Sequence, residues 1–170
     1  MTLGEEICGN YLQFILGCDF VKYNVRTGNK QEEIDVIGIK LAEKKLFVCE
    51  VATHTSGFSY GSGGQNDVDN KISKKFNACI NYIDNEFLEF DYELMLWTPK
   101  LTTKVNTSIR GQLNKAVKSI ESRKGKIVKI ICNEEYAQKL VELKEYARNQ
   151  SHNHDSTIMR IYQIEKSCGL

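Results

Sequence analysis

Apolar residues recur at helical spacing over residues 3–16, where Leu3, Ile7, Tyr11, Phe14 and Ile15 share a face. Thr2 followed by Glu5 fits a capping box, and Gly17 supplies a stop. Phe20, Tyr23 and Val25 alternate over 19–26 and predict a strand, followed by a turn at 27–30. Two apolar runs, 34–39 and 45–52, predict a hairpin of buried strands. A soft segment at 55–65 carries Gly57, Gly61, Gly63 and Gly64 with Phe58 and Tyr60 among them. Helical periodicity resumes over 66–87 through Val68, Ile72, Phe76, Cys79, Ile80 and Ile83. A strand is expected at 92–97, closed by Pro99, then a helix at 106–123, a strand at 127–132 and a helix at 134–148. After a polar loop at 151–156, residues 157–164 read as a final strand. Early hairpins followed by alternating elements predict an α/β fold, a mixed sheet flanked by helices.

With 170 residues, the chain is expected to form one domain, 1–170, with a core over about 3–98 and an extension over about 99–170. Hydrophobic residues at 41% suffice for a core, and 26% charged residues fit a globular chain. No run reaches the roughly 18 apolar residues of a membrane span. Residues 1–6 start acidic without a basic region, so no secretory signal is expected. The six cysteines contain no C-x-x-C pair, which argues against zinc-ribbon and thioredoxin sites. Cys49, Cys79 and Cys132 lie in apolar stretches as core residues, and a cytoplasmic protein with reduced thiols is expected. Lys and Arg total 23 against 22 Asp and Glu, so net charge alone gives no reason to expect a nucleic-acid partner.

Chemistry enters with Asp35 and Glu50, which interrupt strands that otherwise look buried. Buried carboxylates are rare unless paired or metal-bound. A turn centred between Ala42 and Glu43 makes cross-strand partners sum to 85, as Asp35 and Glu50 do. The two then lie opposite each other on one face, whereas a one-residue slip separates them. Like charges so close require either a proton on one or a cation between them, and oxygen-only ligands favour Mg²⁺ or Mn²⁺ over zinc. The bland alternative places each carboxylate at a strand edge, solvated or paired with a lysine.

Gly4-Glu5, Tyr11-Leu12, Gly17, Asn24-Val25-Arg26, Glu33-Ile34-Asp35-Val36-Ile37-Gly38 and Leu46-Phe47-Val48-Cys49-Glu50-Val51 together resemble the PD-(D/E)XK nuclease superfamily. The likeness is greatest to its Holliday-junction-resolvase and small resolvase-like branch, and covers roughly residues 4–82. It implies a restriction-endonuclease-like core of helix, three strands, helix and strand (αβββαβ), with an α/β extension at the C-terminal side. It further implies Mg²⁺, replaceable by Mn²⁺, held by Asp35 and Glu50, with Glu5 completing the acidic site and Glu6 as the fallback. Glu5 serves equally well as a simple cap.

The chain departs from the pattern at one position. The family carries Glu-x-Lys, and here the lysine position is Ala52, on the same strand face as Glu50. Substitutes are His54, one step further on that face, and Lys71 near the start of the next helix, where some members carry a relocated basic residue. Each also reads as an ordinary surface group: His54 at a strand end, Lys71 as a solvated helix charge. Lys74 and Lys75 continue the helix as nucleic-acid contacts, joined by Lys104 and Arg110 from a basic stretch that includes Lys100, Lys115, Lys118, Arg123, Lys124, Lys126 and Lys129. The glycine-rich segment lacks G-K-[ST], so it is not a P-loop. Residues 152–155, His-Asn-His-Asp, read as an incidental polar loop.

The first expectation is therefore a metal-dependent endonuclease acting on DNA in repair, recombination or a restriction-like setting, with Asp35, Glu50, Lys71 and His54 catalytic. The second is a nuclease-fold subunit that binds DNA without cutting it, which Ala52 favours. The third is an α/β interaction module with an accidental acidic pair. No membrane partner is expected, and a homodimer suits an enzyme that cuts two strands.

Overall fold

The computed structural model describes residues 1–28, 32–53, 68–102 and 108–170. Helix α1, Leu3–Asn10, is followed by a wider π turn, Tyr11–Ile15. Strands β1 (Phe20–Arg26), β2 (Glu33–Lys40) and β3 (Lys45–Val51) precede α2 (Val68–Glu86). Then come β4 (Asp91–Thr98), α3 (Ser108–Lys124), β5 (Val128–Cys132), α4 (Asn133–Asn149) and α5 (Thr157–Ser167).

The strands form one sheet in chain order, β1 to β5. β1, β2 and β3 pair antiparallel, and β4 and β5 continue parallel to β3. The result is an α/β fold with a mixed five-stranded sheet, and helix, three strands, helix and strand follow in the expected order. Among the described residues no helix is long and apolar enough to cross a membrane.

Both sheet faces are buried. Ile72, Phe76, Ile80 and Ile83 of α2 and Leu113, Ala116 and Ile120 of α3 form one core with Ile37, Val48, Leu94 and Leu96. Ile7, Cys8 and Leu12 of the first helix and Tyr136, Leu143 and Ala147 of α4 form the other, with Val36, Phe47, Cys49 and Trp97. Strand side chains alternate between faces, so residues 46–49 of β3 and 94–97 of β4 are continuous apolar runs because both sides meet helices.

Two expectations are corrected. Residues 3–16 are not one regular helix: the backbone widens after Asn10, with the Leu16 N–H donating to the Tyr11 carbonyl at 3.0 Å. Gly17 then ends the segment at φ 72°, a left-handed stop that glycine adopts freely. Residues 157–164 are helix α5, not a strand. Met159 is buried with Ile158 and Tyr162 packed beside it, while Ile161 and Ile164 face outwards. This is a helical face that β-branched composition disguises as a strand. The helix start is capped by Ser156, whose Oγ accepts from Met159 N at 3.4 Å, and is held from a distance by Glu6, whose Oε1 accepts from Ser156 Oγ at 3.0 Å and Thr157 N at 2.6 Å.

The capping box at Thr2 forms as expected, with both reciprocal hydrogen bonds present. All six cysteines are free, and Cys8, Cys18, Cys49 and Cys79 are buried.

Candidate functional site

The β2–β3 ladder has the register expected from the turn: Val36 faces Cys49, Ile37 faces Val48, and Gly38 faces Phe47. Continued by one step, it sets Asp35 beside Glu50. The ladder stops there, and Asp35 Oδ2 instead accepts from the Val51 N–H at 2.7 Å. On the other side of β2, the β1 ladder omits Asn24, which would lie level with Asp35 and adopts φ 52°. Asparagine tolerates that left-handed backbone better than most residues. Asp35 thus lies where the β2–β3 ladder ends and opposite a one-residue gap in the β1–β2 ladder, which resumes at Val25 and Ile34.

Helix α2 closes over the pair. The Lys75 ammonium donates to Glu50 Oε2 and lies 3.7 Å from Asp35 Oδ1. One turn further along, the Cys79 thiol donates to Glu50 Oε1 at 3.5 Å. Residues four apart on a helix share a face, so Lys75 and Cys79 reach the same carboxylate. Glu50 is wholly buried and Asp35 nearly so, whereas the Lys75 side chain keeps 30% exposure. The ammonium therefore approaches from the solvent side.

Burial raises the Glu50 pKa to about 8, the neighbouring Asp35 charge adds to the rise, and Lys75 works against it. Asp35 is also raised, chiefly by burial, with Lys75 and the Val51 N–H opposing. With one carboxylate protonated, the trio of two acids and one ammonium carries no net charge, which is the form a desolvated site favours. Cys79 is pushed well above its ordinary value by burial and by Glu50, so it stays a thiol.

Two carboxylates are donors of the kind Mg²⁺ and Mn²⁺ take, and Mg²⁺ is commonly held by one or two carboxylates with the remaining positions filled by water and substrate phosphate. The residues fit that role when Lys75 withdraws along its half-solvated stem. Among the described residues no group of three or more acidic, histidine or cysteine side chains is arranged to hold a metal ion. Glu5 is buried, but its Oε2 accepts from Thr2 N at 2.9 Å and lies 3.7 Å from the N-terminal ammonium. Its carboxylate caps its own helix, although its charge contributes to raising Asp35. Glu6 turns towards α5.

Ala52 is buried on the α2 side of the sheet, in the position expected for it. The sequence offers His54 and Lys71 as substitutes for the missing charge, whereas the structure brings Lys75 to the carboxylates; Lys71 lies one turn earlier and is half-buried. The spacing signal was present: Lys75 is four residues before Cys79 and flanks the buried stripe of Ile72, Phe76 and Ile80. His54 and Lys104 lie outside the described residues, as does the glycine-rich segment. Lys74 pairs with Glu32 at 2.7 Å, and Arg110 donates to the Thr102 carbonyl at 3.2 Å. Several other cations of the basic stretch are neutralised locally: Lys115 by Asp69, Lys126 by Asp91 and Lys129 by Glu135.

No protein-family model, curated protein or solved structure gives a significant match to this chain.

Proposed function

We propose that this chain is a restriction-endonuclease-like, metal-dependent nuclease that hydrolyses phosphodiester bonds in DNA. The observation carrying this reading is the convergence of Asp35 from β2, Glu50 from β3 and Lys75 from α2 on one buried point at the end of the antiparallel ladder. Asp35 and Glu50 would hold Mg²⁺, or Mn²⁺ in its place. The bound ion would supply a water of lowered pKa and neutralise charge on the attacked phosphate.

The chain's own groups have separate tasks. The Val51 N–H orients Asp35 by fixing Oδ2. The Cys79 thiol holds Glu50 Oε1, leaving Oε2 as the oxygen that Lys75 now occupies and can release. Once displaced, the Lys75 ammonium remains tethered beside the acids, where it can donate to a phosphate oxygen as charge develops. It thereby takes the task that Ala52 leaves vacant.

A second reading, a DNA-binding subunit without catalysis, draws on the same contact: an ammonium seated on Glu50 can serve as a permanent replacement for the metal ion. The test is cleavage of supercoiled plasmid in Mn²⁺ and in Mg²⁺ by the wild type, Asp35→Ala and Glu50→Gln. Cleavage lost in both variants supports the nuclease. Salt-sensitive DNA binding with no cleavage by the wild type supports the subunit. Cleavage that survives both substitutions removes the acidic pair from the reaction.

A further inference from the structure

A surface cavity of about 390 Å³ lies where the end of α4 meets α5, well separated in the chain from the acidic pair. Three cations line it, Arg148, Arg160 and Lys166, and no carboxylate does. The rest of its wall is mainly amide and hydroxyl, including Asn153, Gln163 and Ser151.

The hydrogen-bond partners of Arg160 and Lys166 are neutral. Arg160 donates to the side-chain oxygens of Asn153 and Gln163, and Lys166 donates to the Arg148 carbonyl near the end of α4. Glu165, the carboxylate beside Lys166 in sequence, is turned to Lys144 at 2.6 Å. Among the described residues none of the three cations forms an ion pair. An exposed cation ordinarily gains little from a partner, but three cations around one concavity repel each other and are stabilised together by a shared anion. Gln163 further organises the wall: its Oε1 accepts from His154 N at 3.2 Å while its Nε2 donates to the His152 carbonyl at 2.7 Å. The 152–154 loop is thus fixed to α5, and with it Asn153, which orients Arg160.

We infer that the cavity formed by Arg148, Arg160 and Lys166 binds a phosphate group. A guanidinium presents five donors in a planar fork suited to phosphate oxygens, and an ammonium adds three. After their present bonds, both groups retain donors for a ligand. Serine and amide side chains complete a wall that offers hydrogen bonds without opposing charge. The phosphate can belong to a DNA backbone or be free in solution. In its DNA form the inference rests on the function proposed above, whereas phosphate binding itself needs neither a metal ion nor the acidic pair.

The test is performed without divalent metal on the full chain. Inorganic phosphate is titrated into the wild type and into Arg160→Gln/Lys166→Gln while side-chain and backbone NMR signals are followed. Duplex DNA binding is measured in parallel over a range of salt, with Lys22→Gln/Lys44→Gln as a control for loss of two charges elsewhere. Retained α4 and α5 signals establish that the variants are folded. A DNA backbone ligand gives phosphate shifts confined to the cavity in the wild type only, about tenfold weaker duplex binding by the cavity variant, and a salt slope lower by roughly two. A free phosphate ligand gives the same shifts with duplex binding unchanged. The inference is overturned if phosphate produces no shift in the wild type or equal shifts in the cavity variant. A control variant that loses as much DNA affinity as the cavity variant removes the DNA form.

Discussion

The ammonium of Lys75 is hydrogen-bonded to Glu50 and stands 3.7 Å from Asp35, so helix α2 brings one positive charge to both buried carboxylates. Lys75→Met is expected to reduce metal-dependent plasmid cleavage by about 10²-fold or more, the scale of losing a charge stabiliser in a reaction centre. Lys71→Met is expected to change it far less. Direct Mn²⁺ titration separates this role from simple neutralisation. If Lys75 only fills the space between the acids, Lys75→Met binds Mn²⁺ more tightly and cleaves as well as the wild type.

The Glu50 proton makes stability depend on pH. Its folded pKa of about 8 exceeds the ordinary carboxyl value of 4.5. Between these values the folded chain holds a proton that the unfolded chain has released, so unfolding becomes easier as pH rises. The contribution is complete below about 4.5 and is lost as pH climbs through about 8; Asp35, also raised, acts in the same direction. The urea midpoint of the metal-free wild type should therefore fall between pH 6 and pH 8.5, and Glu50→Gln should fall much less. Equal slopes in the two proteins would show that Glu50 is ionised throughout.

The same pair illustrates what local sequence can and cannot reveal. The hairpin register was legible because the polar turn between two apolar runs leaves one alignment that buries both faces, and Val36 opposite Cys49 bears this out. The buried stripe of α2 was legible through the spacing of Ile72, Phe76 and Ile80. Which lysine reaches the acids was not, because Lys71 and Lys75 occupy neighbouring turns and the choice depends on how far α2 extends beyond β3. Helix α5 was misread in part for a related reason: its local cap, Ser156, is itself held by Glu6, which lies about 150 residues away in the chain. Local pattern reports faces and periods, while contacts between distant segments decide ends and partners.

Gly38 lies in the second half of β2, where a Cβ would come within 2.8 Å of Cys18 Sγ and 3.0 Å of Leu12 Cδ1. Both neighbours are buried in the α1-side core. Gly38→Ala is expected to destabilise the fold by about 1–3 kcal/mol, the usual cost of overpacking. Cys18→Ala, by removing the nearest atom, should recover part of that loss when combined with it. Urea denaturation of the single and double variants measures both effects, and an additive double variant would place the cost elsewhere.

Glu6 joins the first helix to the last. Its Oε1 accepts from Ser156 Oγ at 3.0 Å and from the N–H groups of Thr157 at 2.6 Å and Ile158 at 3.4 Å. These donors belong to the start of α5, where a negative charge is favoured by the helix dipole. Asn10 reinforces the junction by donating to Ser156 Oγ at 2.5 Å. Glu6→Ala removes both charge and acceptor and is expected to cost about 1–3 kcal/mol. Glu6→Gln keeps an acceptor but loses the charge, and should cost roughly half as much. The effect should also be local: amide hydrogen exchange should accelerate over residues 157–160 in Glu6→Ala while α2, on the opposite sheet face, keeps its protection. Exchange that accelerates equally in α2 and α5 would mean that Glu6 supports the whole fold rather than the docking of its last helix.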